Sequence, residues 1–243
     1  MKLISCCYIS SHPPCRLAGN PDGAFKPMNL PYVLKEPVAT LKRMKNIVAF
    51  FGAAHVVFLF LGMWMVSQEI PGVMHLREEQ LKVLSELPYL KPLTGPLATS
   101  LVLKISYTFV FNLVFGAFVS TTLLGLVFFL PYVMAVWRGF IVGVLFYGMD
   151  PSPLKNVVFY GTFFLEFGAY SLSSVVGTDI GLSIIWPGRK GTGSRIDAFR
   201  ASMRDGKKLY VLVAMVLFVA AVWEIGWLHY MGSFMIPDAL KKG

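Results

Sequence analysis

The sequence predicts an all-α, polytopic helical membrane protein with about five transmembrane helices and a cytoplasmic N-terminus. Three observations lead there. Of the 243 residues, 56% are hydrophobic and only 14% charged, against about 25% charged in soluble domains, and the mean hydropathy is +0.63. The apolar residues come in runs of the roughly 20 residues that cross a hydrocarbon core about 30 Å thick. Inside lipid every backbone amide needs an internal partner, so such runs form helices, and the alternation of a membrane barrel is absent. Lastly, the excess behind the net charge of +9 is gathered beside the apolar runs, where it sets orientation and attracts anionic headgroups.

Residues 1–45 read as a flexible basic N-terminal tail. Pro13, Pro14, Pro21 and Pro27 disfavour regular structure there, and all three cysteines, Cys6, Cys7 and Cys15, lie within it. Leu3-Ile4-Ser5-Cys6 resembles a lipoprotein cleavage box but lacks the apolar stretch of about 7–15 residues that must precede one. Cys6, Cys7, His12 and Cys15 fit no standard zinc spacing, and Met28 is an alternative start. Neither a metal nor a cofactor is expected.

Residues 46–231 form the transmembrane domain. The first span covers about 46–66; its His55 reads as a hydrogen-bonding contact between helices. In the external loop 67–97, Leu76, Leu81, Leu84 and Leu87 recur among charges as in a short amphipathic helix on the membrane surface, bracketed by Pro71 and Pro88. The apolar stretch from Leu97 to Tyr147 is too long for one crossing and divides into helices at 98–119 and 123–147. The turn is expected at Ser120-Thr121-Thr122, whose hydroxyls can satisfy freed backbone groups, and Pro131 is expected to kink the second helix. After a short loop at 149–155 a fourth helix runs over 156–185, broken or distorted near Gly177. The basic loop 186–208, a fifth helix at 209–231 and a short tail at 232–243 complete the chain.

Lys35, Lys42, Arg43 and Lys45 precede the first span, and Arg189, Lys190, Arg195, Arg200, Arg204, Lys207 and Lys208 fill loop 186–208. Both clusters fall inside the cell if the N-terminus is cytoplasmic, with Lys241 and Lys242 the mild exception. The basic loop has few aromatics to stack on bases, so no nucleic acid is expected.

Two charges stand within apolar helices: Arg138 and Glu166. A charge at the bilayer centre costs roughly 2.5–3.5 kcal/mol on insertion scales, so it is rarely there without a partner. At about 1.5 Å rise per residue both lie roughly 14–15 Å below the outer surface, on neighbouring antiparallel helices. They are expected to pair, either to fix helix register or to form a proton, ion or headgroup site. Thr162, Glu166, Tyr170, Ser173 and Gly177 share one face of the fourth helix; Asn112 adds a further polar group, and Asp179 falls near the inner interface. Lys104 and Glu224, each about 9–10 Å deep by the same rise, form a second candidate pair. Gly139 and Gly143, like Gly177 and Gly181, have the small-xxx-small spacing that lets helices approach closely. Pro187 to Arg195 (PGRKGTGSR) lacks phosphate-loop spacing and a preceding strand. HExxH, GxSxG and CxxC are absent.

From Phe111 to about Ile185 the chain resembles the stage II sporulation protein M family. Asn112, Gly116 and Gly125 carry the resemblance, followed by Gly139 and Gly143 in an N-G-x-x-x-G-like element. Glu166, Ala169, Gly177 and Gly181 match the family's HGxxE segment and the glycines after it. Arg138 stands where the family usually has Asn, and Thr162-Phe163 where it has His-Gly, so a function carried by that His-Gly would be altered here. The resemblance implies a non-enzymatic multi-pass protein that anchors envelope-remodelling partners. In spore formers those partners remodel septal peptidoglycan, but relatives occur in organisms that make no spores. Membrane lipids and envelope proteins are the expected partners, and homo-oligomerisation is left open. The rival reading is a transporter or permease-like subunit using Arg138 and Glu166, although no inverted repeat is visible. An intramembrane enzyme acting on lipid has little beyond Glu166 in its favour.

Overall fold

The computed structural model describes residues 30–86, 93, 100–148 and 152–231. Helix α1 (Leu30–Ser67) is followed by the shorter α2 (Pro71–Glu86). Helix α3 (Leu101–Phe111) runs without a break into a π-helical segment, Asn112–Leu123, and a 3₁₀ turn, Leu124–Leu126. Then come α4 (Leu130–Phe146), α5 (Pro153–Ile185), a 3₁₀ turn (Pro187–Lys190) and α6 (Arg195–Tyr230). The described residues contain helices and turns and no strand, as an all-α membrane protein requires. Leu34–Ser67, Leu101–Leu126 and Arg195–Tyr230 are each long and apolar enough to cross a bilayer, and α4 is a shorter apolar helix.

The order is inside out relative to a soluble bundle. Phe50, Phe60 and Trp64 of α1, Val102 and Val110 of α3, Trp137 of α4 and Phe218 and Val219 of α6 are exposed. That outward apolar belt is what lipid solvates. Helix α5 takes the centre, and from Ala169 to Gly177 every one of its residues is buried. Its Ser171, Ser173, Ser174, Gly177 and Gly181 lower its hydropathy but suit an interior without water, where association rests on close packing and hydrogen bonds between helices.

Glycines set two of the closest approaches. A side chain at Gly139 would strike the His55 carbonyl, and one at Gly143 the Leu59 carbonyl, so α1 and α4 touch backbone to backbone. Gly177 and Gly181 of α5 receive the end of the π segment: a methyl at Gly177 would sit 2.8 Å from the Thr121 carbonyl oxygen, and one at Gly181 would strike that of Gly125.

Five boundaries differ from the sequence expectation. Residues 30–45 belong to α1 rather than to a flexible tail, because Thr40 and Met44 are buried; residues 1–29, with the cysteines, lie outside the described residues. The turn after the second span falls at 127–129 instead of 120–122, because the hydroxyls of Thr121 and Thr122 bond neighbouring helices and the backbone winds on. Pro131 stands at the start of α4, where a missing amide breaks no helical bond, and so does not kink it. Helix α5 passes Gly177 without interruption; that glycine serves close approach, not a break. Loop 186–208 is ordered, since α6 begins at Arg195 and only a 3₁₀ turn and Gly191, at φ 66°, separate it from α5. Of the external loop, residues 87–92 and 94–97 lie outside the described residues, as does the tail 232–243 except for α6 ending before it.

Candidate functional site: an intramembrane polar layer

The π segment provides one side of the site. Its backbone bonds close over five residues rather than four, which brings Asn112, Ala117 and Thr122 to one side with Gly116 and Thr121 beside them. That side faces α5. Asn112 Nδ2 donates to Glu166 Oε1 at 2.7 Å. About two turns further along α5, Thr121 Oγ1 and Ser173 Oγ are 2.6 Å apart. Thr122 Oγ1 donates to the Ser173 carbonyl at 3.0 Å, so the Tyr210 hydroxyl of α6, 2.6 Å away, supplies the proton of their shared bond.

Arg138 enters from α4. Its Nη2 donates to the Gly116 carbonyl at 2.8 Å and to Ser120 Oγ. Its guanidinium carbon lies 4.1 Å from the centroid of the Tyr170 ring, the stacking a planar, weakly hydrated cation favours. Tyr170 can reach this place because Gly116 has no side chain: a methyl there would be 2.7 Å from the Tyr170 hydroxyl oxygen. The same hydroxyl bonds Glu166, one turn earlier on α5.

Arg138 and Glu166 therefore belong to one layer, but the expected direct pairing is corrected. No ion pair within 4.0 Å joins them among the described residues; Tyr170 stands between, with a face to the cation and a hydroxyl to the carboxylate. Both members of the second candidate pair lie inside the bundle. Lys104 is buried on α3, while Glu224 of α6 lies close enough to Glu166 to act on it as a like charge. Thr162, although buried, donates its hydroxyl to the Val158 carbonyl of its own helix at 2.9 Å. Asn112, Arg138, Glu166, Tyr170 and Ser173 are thus brought together, and Thr162 is not.

Four contributors were missed in the sequence: Ser120, Thr121, Thr122 and Tyr210. The signal for the first three is their run of hydroxyls inside an apolar stretch, which by composition alone predicts a turn. His55 flanks the layer from α1. It is fully buried, its Nδ1 is 2.9 Å from the Phe51 carbonyl, and its ring stacks on Phe167 at 4.7 Å.

Both ends of the bundle are tied by charge. At the end where α6 begins, Lys190 is 2.7 Å from Asp179 and 3.2 Å from Asp205, and Arg43 is 2.7 Å from the same Asp205. Lys208 is 3.0 Å from Glu36. At the opposite end Arg77 of α2 donates to the Tyr147 carbonyl at 2.7 Å, just past the end of α4, where unpaired carbonyls attract cations. Among the described residues no three His, Cys, Asp or Glu side chains gather as a metal site would need.

The family model for stage II sporulation protein M matches residues 47–227, from the apolar part of α1 to near the end of α6, with the whole polar layer inside. Neither a curated protein nor a solved structure matches.

Proposed function

The chain belongs to the stage II sporulation protein M family, and we propose that it acts as a non-enzymatic, multi-pass scaffold of the cell membrane that anchors envelope-remodelling protein partners. In this reading five helices cross the bilayer, with the N-terminus and the Arg195 end of α6 inside the cell. One observation carries it. A set of polar groups in the membrane interior engages across helices: Arg138 through Nη2 with Gly116 and Ser120 and through its face with Tyr170, Asn112 with Glu166, and Thr122 with Ser173 and Tyr210. Such a layer locks the π segment, α4, α5 and α6 into one rigid platform, which suits a docking role. Lipids surround the platform, and neither nucleic acid nor a cofactor has a part.

The test is crosslinking of the tagged full-length protein in intact cells, followed by identification of what co-purifies. The expected result is enrichment of a peptidoglycan-processing enzyme that loses its localisation when the protein is depleted. If no enzyme of that class is enriched and cell-wall enzymes stay in place on depletion, the scaffold reading fails.

The π segment favours one rival. Such segments are rare and concentrate at functional sites, and this one lies beside Arg138 and Glu166. A transporter would give pH-driven flux in proteoliposomes that disappears in Glu166→Gln.

A further inference from the structure

The inner end of α1 is not a simple continuation of its membrane span. Two ion pairs fix its course against α6: Arg43 with Asp205 at 2.7 Å and Glu36 with Lys208 at 3.0 Å. From the first pair to the second, α1 goes back seven residues, about 10.5 Å toward its N-terminus, while α6 advances three, about 4.5 Å toward the membrane. A helix dropping straight into the cytoplasm beside α6 would move the other way. The first turns of α1 therefore cross the flank of α6 at the level where its apolar run begins, at Leu209. Pro37, which lacks the amide that would bond the preceding turn, sits in this stretch.

The exposed face of this crossing stretch, made by Leu34, Lys35, Val38, Ala39 and Lys42 of the one helix, bounds a shallow, open groove of 420 Å³. Lys35, Val38, Ala39 and Lys42 are exposed. The charges nearby are not equivalent. Arg43 and Lys208 are neutralised by carboxylates, whereas Lys35 and Lys42 enter no ion pair among the described residues. Seven residues apart, they flank an apolar floor from the same face, with flexible stems that can converge on one anion.

We propose that this groove holds the headgroup of an anionic phospholipid of the inner leaflet, its phosphate between Lys35 and Lys42 and the start of its acyl chains on Leu34, Val38 and Ala39. The height set by the two ion pairs puts the lysines among the headgroups, within a Debye length of the surface. The apolar floor suits an amphiphile better than a soluble acidic peptide. The proposal rests on the reading of the chain as a membrane protein with its N-terminus inside, and that reading is tested separately below.

Full-length protein in detergent is titrated with phosphatidylglycerol or phosphatidylcholine, and bound lipid is counted by native mass spectrometry. Wild type, the Lys35→Gln/Lys42→Gln double variant and Lys82→Gln on α2 are compared. Wild type binds phosphatidylglycerol more tightly than phosphatidylcholine. The double variant weakens phosphatidylglycerol about 25-fold, roughly fivefold per lysine, leaving phosphatidylcholine binding unchanged, and Lys82→Gln behaves as wild type. Unchanged phosphatidylglycerol binding in the double variant overturns the site. So does lysine-dependent binding of a soluble polyglutamate peptide with no preference between the two lipids. An N-terminal tag on intact cells is expected to resist external protease; its cleavage overturns the orientation on which the proposal rests, whatever the lipid titration gives.

Discussion

Replacing Arg138 and replacing Glu166 have unequal consequences, and the inequality distinguishes a layer joined through Tyr170 from a simple ion pair. Arg138→Met removes the bonds to the Gly116 carbonyl and to Ser120 together with the stack on Tyr170. Hydrogen bonds between membrane helices average about 0.6 kcal/mol in double-mutant cycles, and a desolvated cation–π contact contributes about 1–2 kcal/mol. The expected loss is about 2–3 kcal/mol. Glu166→Gln keeps one oxygen to accept from Asn112 and gains an amide NH2 that can donate to the Tyr170 hydroxyl oxygen, with little change of volume, so it is expected to cost less than about 1 kcal/mol. With no direct contact between the two groups, the double variant should be additive to within about 1 kcal/mol. Breaking a direct buried ion pair would instead cost about 3–5 kcal/mol from either side, because each single change strands an opposite charge. Arg138→Lys preserves the charge but loses the planar fork and the stack, and is expected to fall between wild type and Arg138→Met. The assay is reversible unfolding of the purified protein in mixed micelles with increasing dodecyl sulfate, followed by tryptophan fluorescence. Equal and large losses for Arg138→Met and Glu166→Gln, with a coupling energy of the same size, would refute the mediated arrangement.

The remaining predictions concern packing and the two ends of the bundle. Gly139→Ala and Gly143→Ala press a methyl into the backbone of α1 and are each expected to cost about 1–3 kcal/mol in the same unfolding assay. Gly168→Ala meets nothing within 4 Å and should be neutral or stabilising by up to about 1 kcal/mol through helix propensity; identical behaviour of the three variants would contradict the α1–α4 contact. Lys190→Met leaves the buried Asp179 without its 2.7 Å partner, while Asp205 keeps Arg43. A loss of about 1–3 kcal/mol is expected, and adding Asp179→Asn should recover most of it in a thermal-shift measurement. Arg77→Met frees the carbonyl of Tyr147 and detaches α2 from the end of α4. Hydrogen exchange of α2 amides should then accelerate about tenfold, the equivalent of about 1.4 kcal/mol, and unchanged exchange would count against the tether.

What the sequence made legible was depth, and what it hid was direction around each helix axis. Counting residues from the span ends put Arg138 and Glu166 in one layer, since rise per residue needs no knowledge of neighbours. The count says nothing of azimuth. The residue that intervenes, Tyr170, was visible on the same helical face as Glu166, but only the missing side chain of Gly116 on another helix shows why its ring lies against Arg138.

The run Ser120-Thr121-Thr122 illustrates the deeper ambiguity. Hydroxyls in an apolar stretch can satisfy backbone groups released at a turn, or they can bond a neighbouring helix while the backbone keeps winding. Local composition is the same in both cases, so no reading of residues 97–147 alone could choose. The choice was made fifty residues away, by the Ser173 hydroxyl and carbonyl and by Gly177, which clear a place for this segment against α5. Pro37 shows the same override: a proline disfavours a helix interior, yet the buried Thr40 and Met44 hold this one inside α1. In a membrane interior, where lipid is as apolar as leucine, small and hydroxylated residues on a partner helix decide where a backbone bends, and they carry more of the fold than the apolar runs that announce the spans.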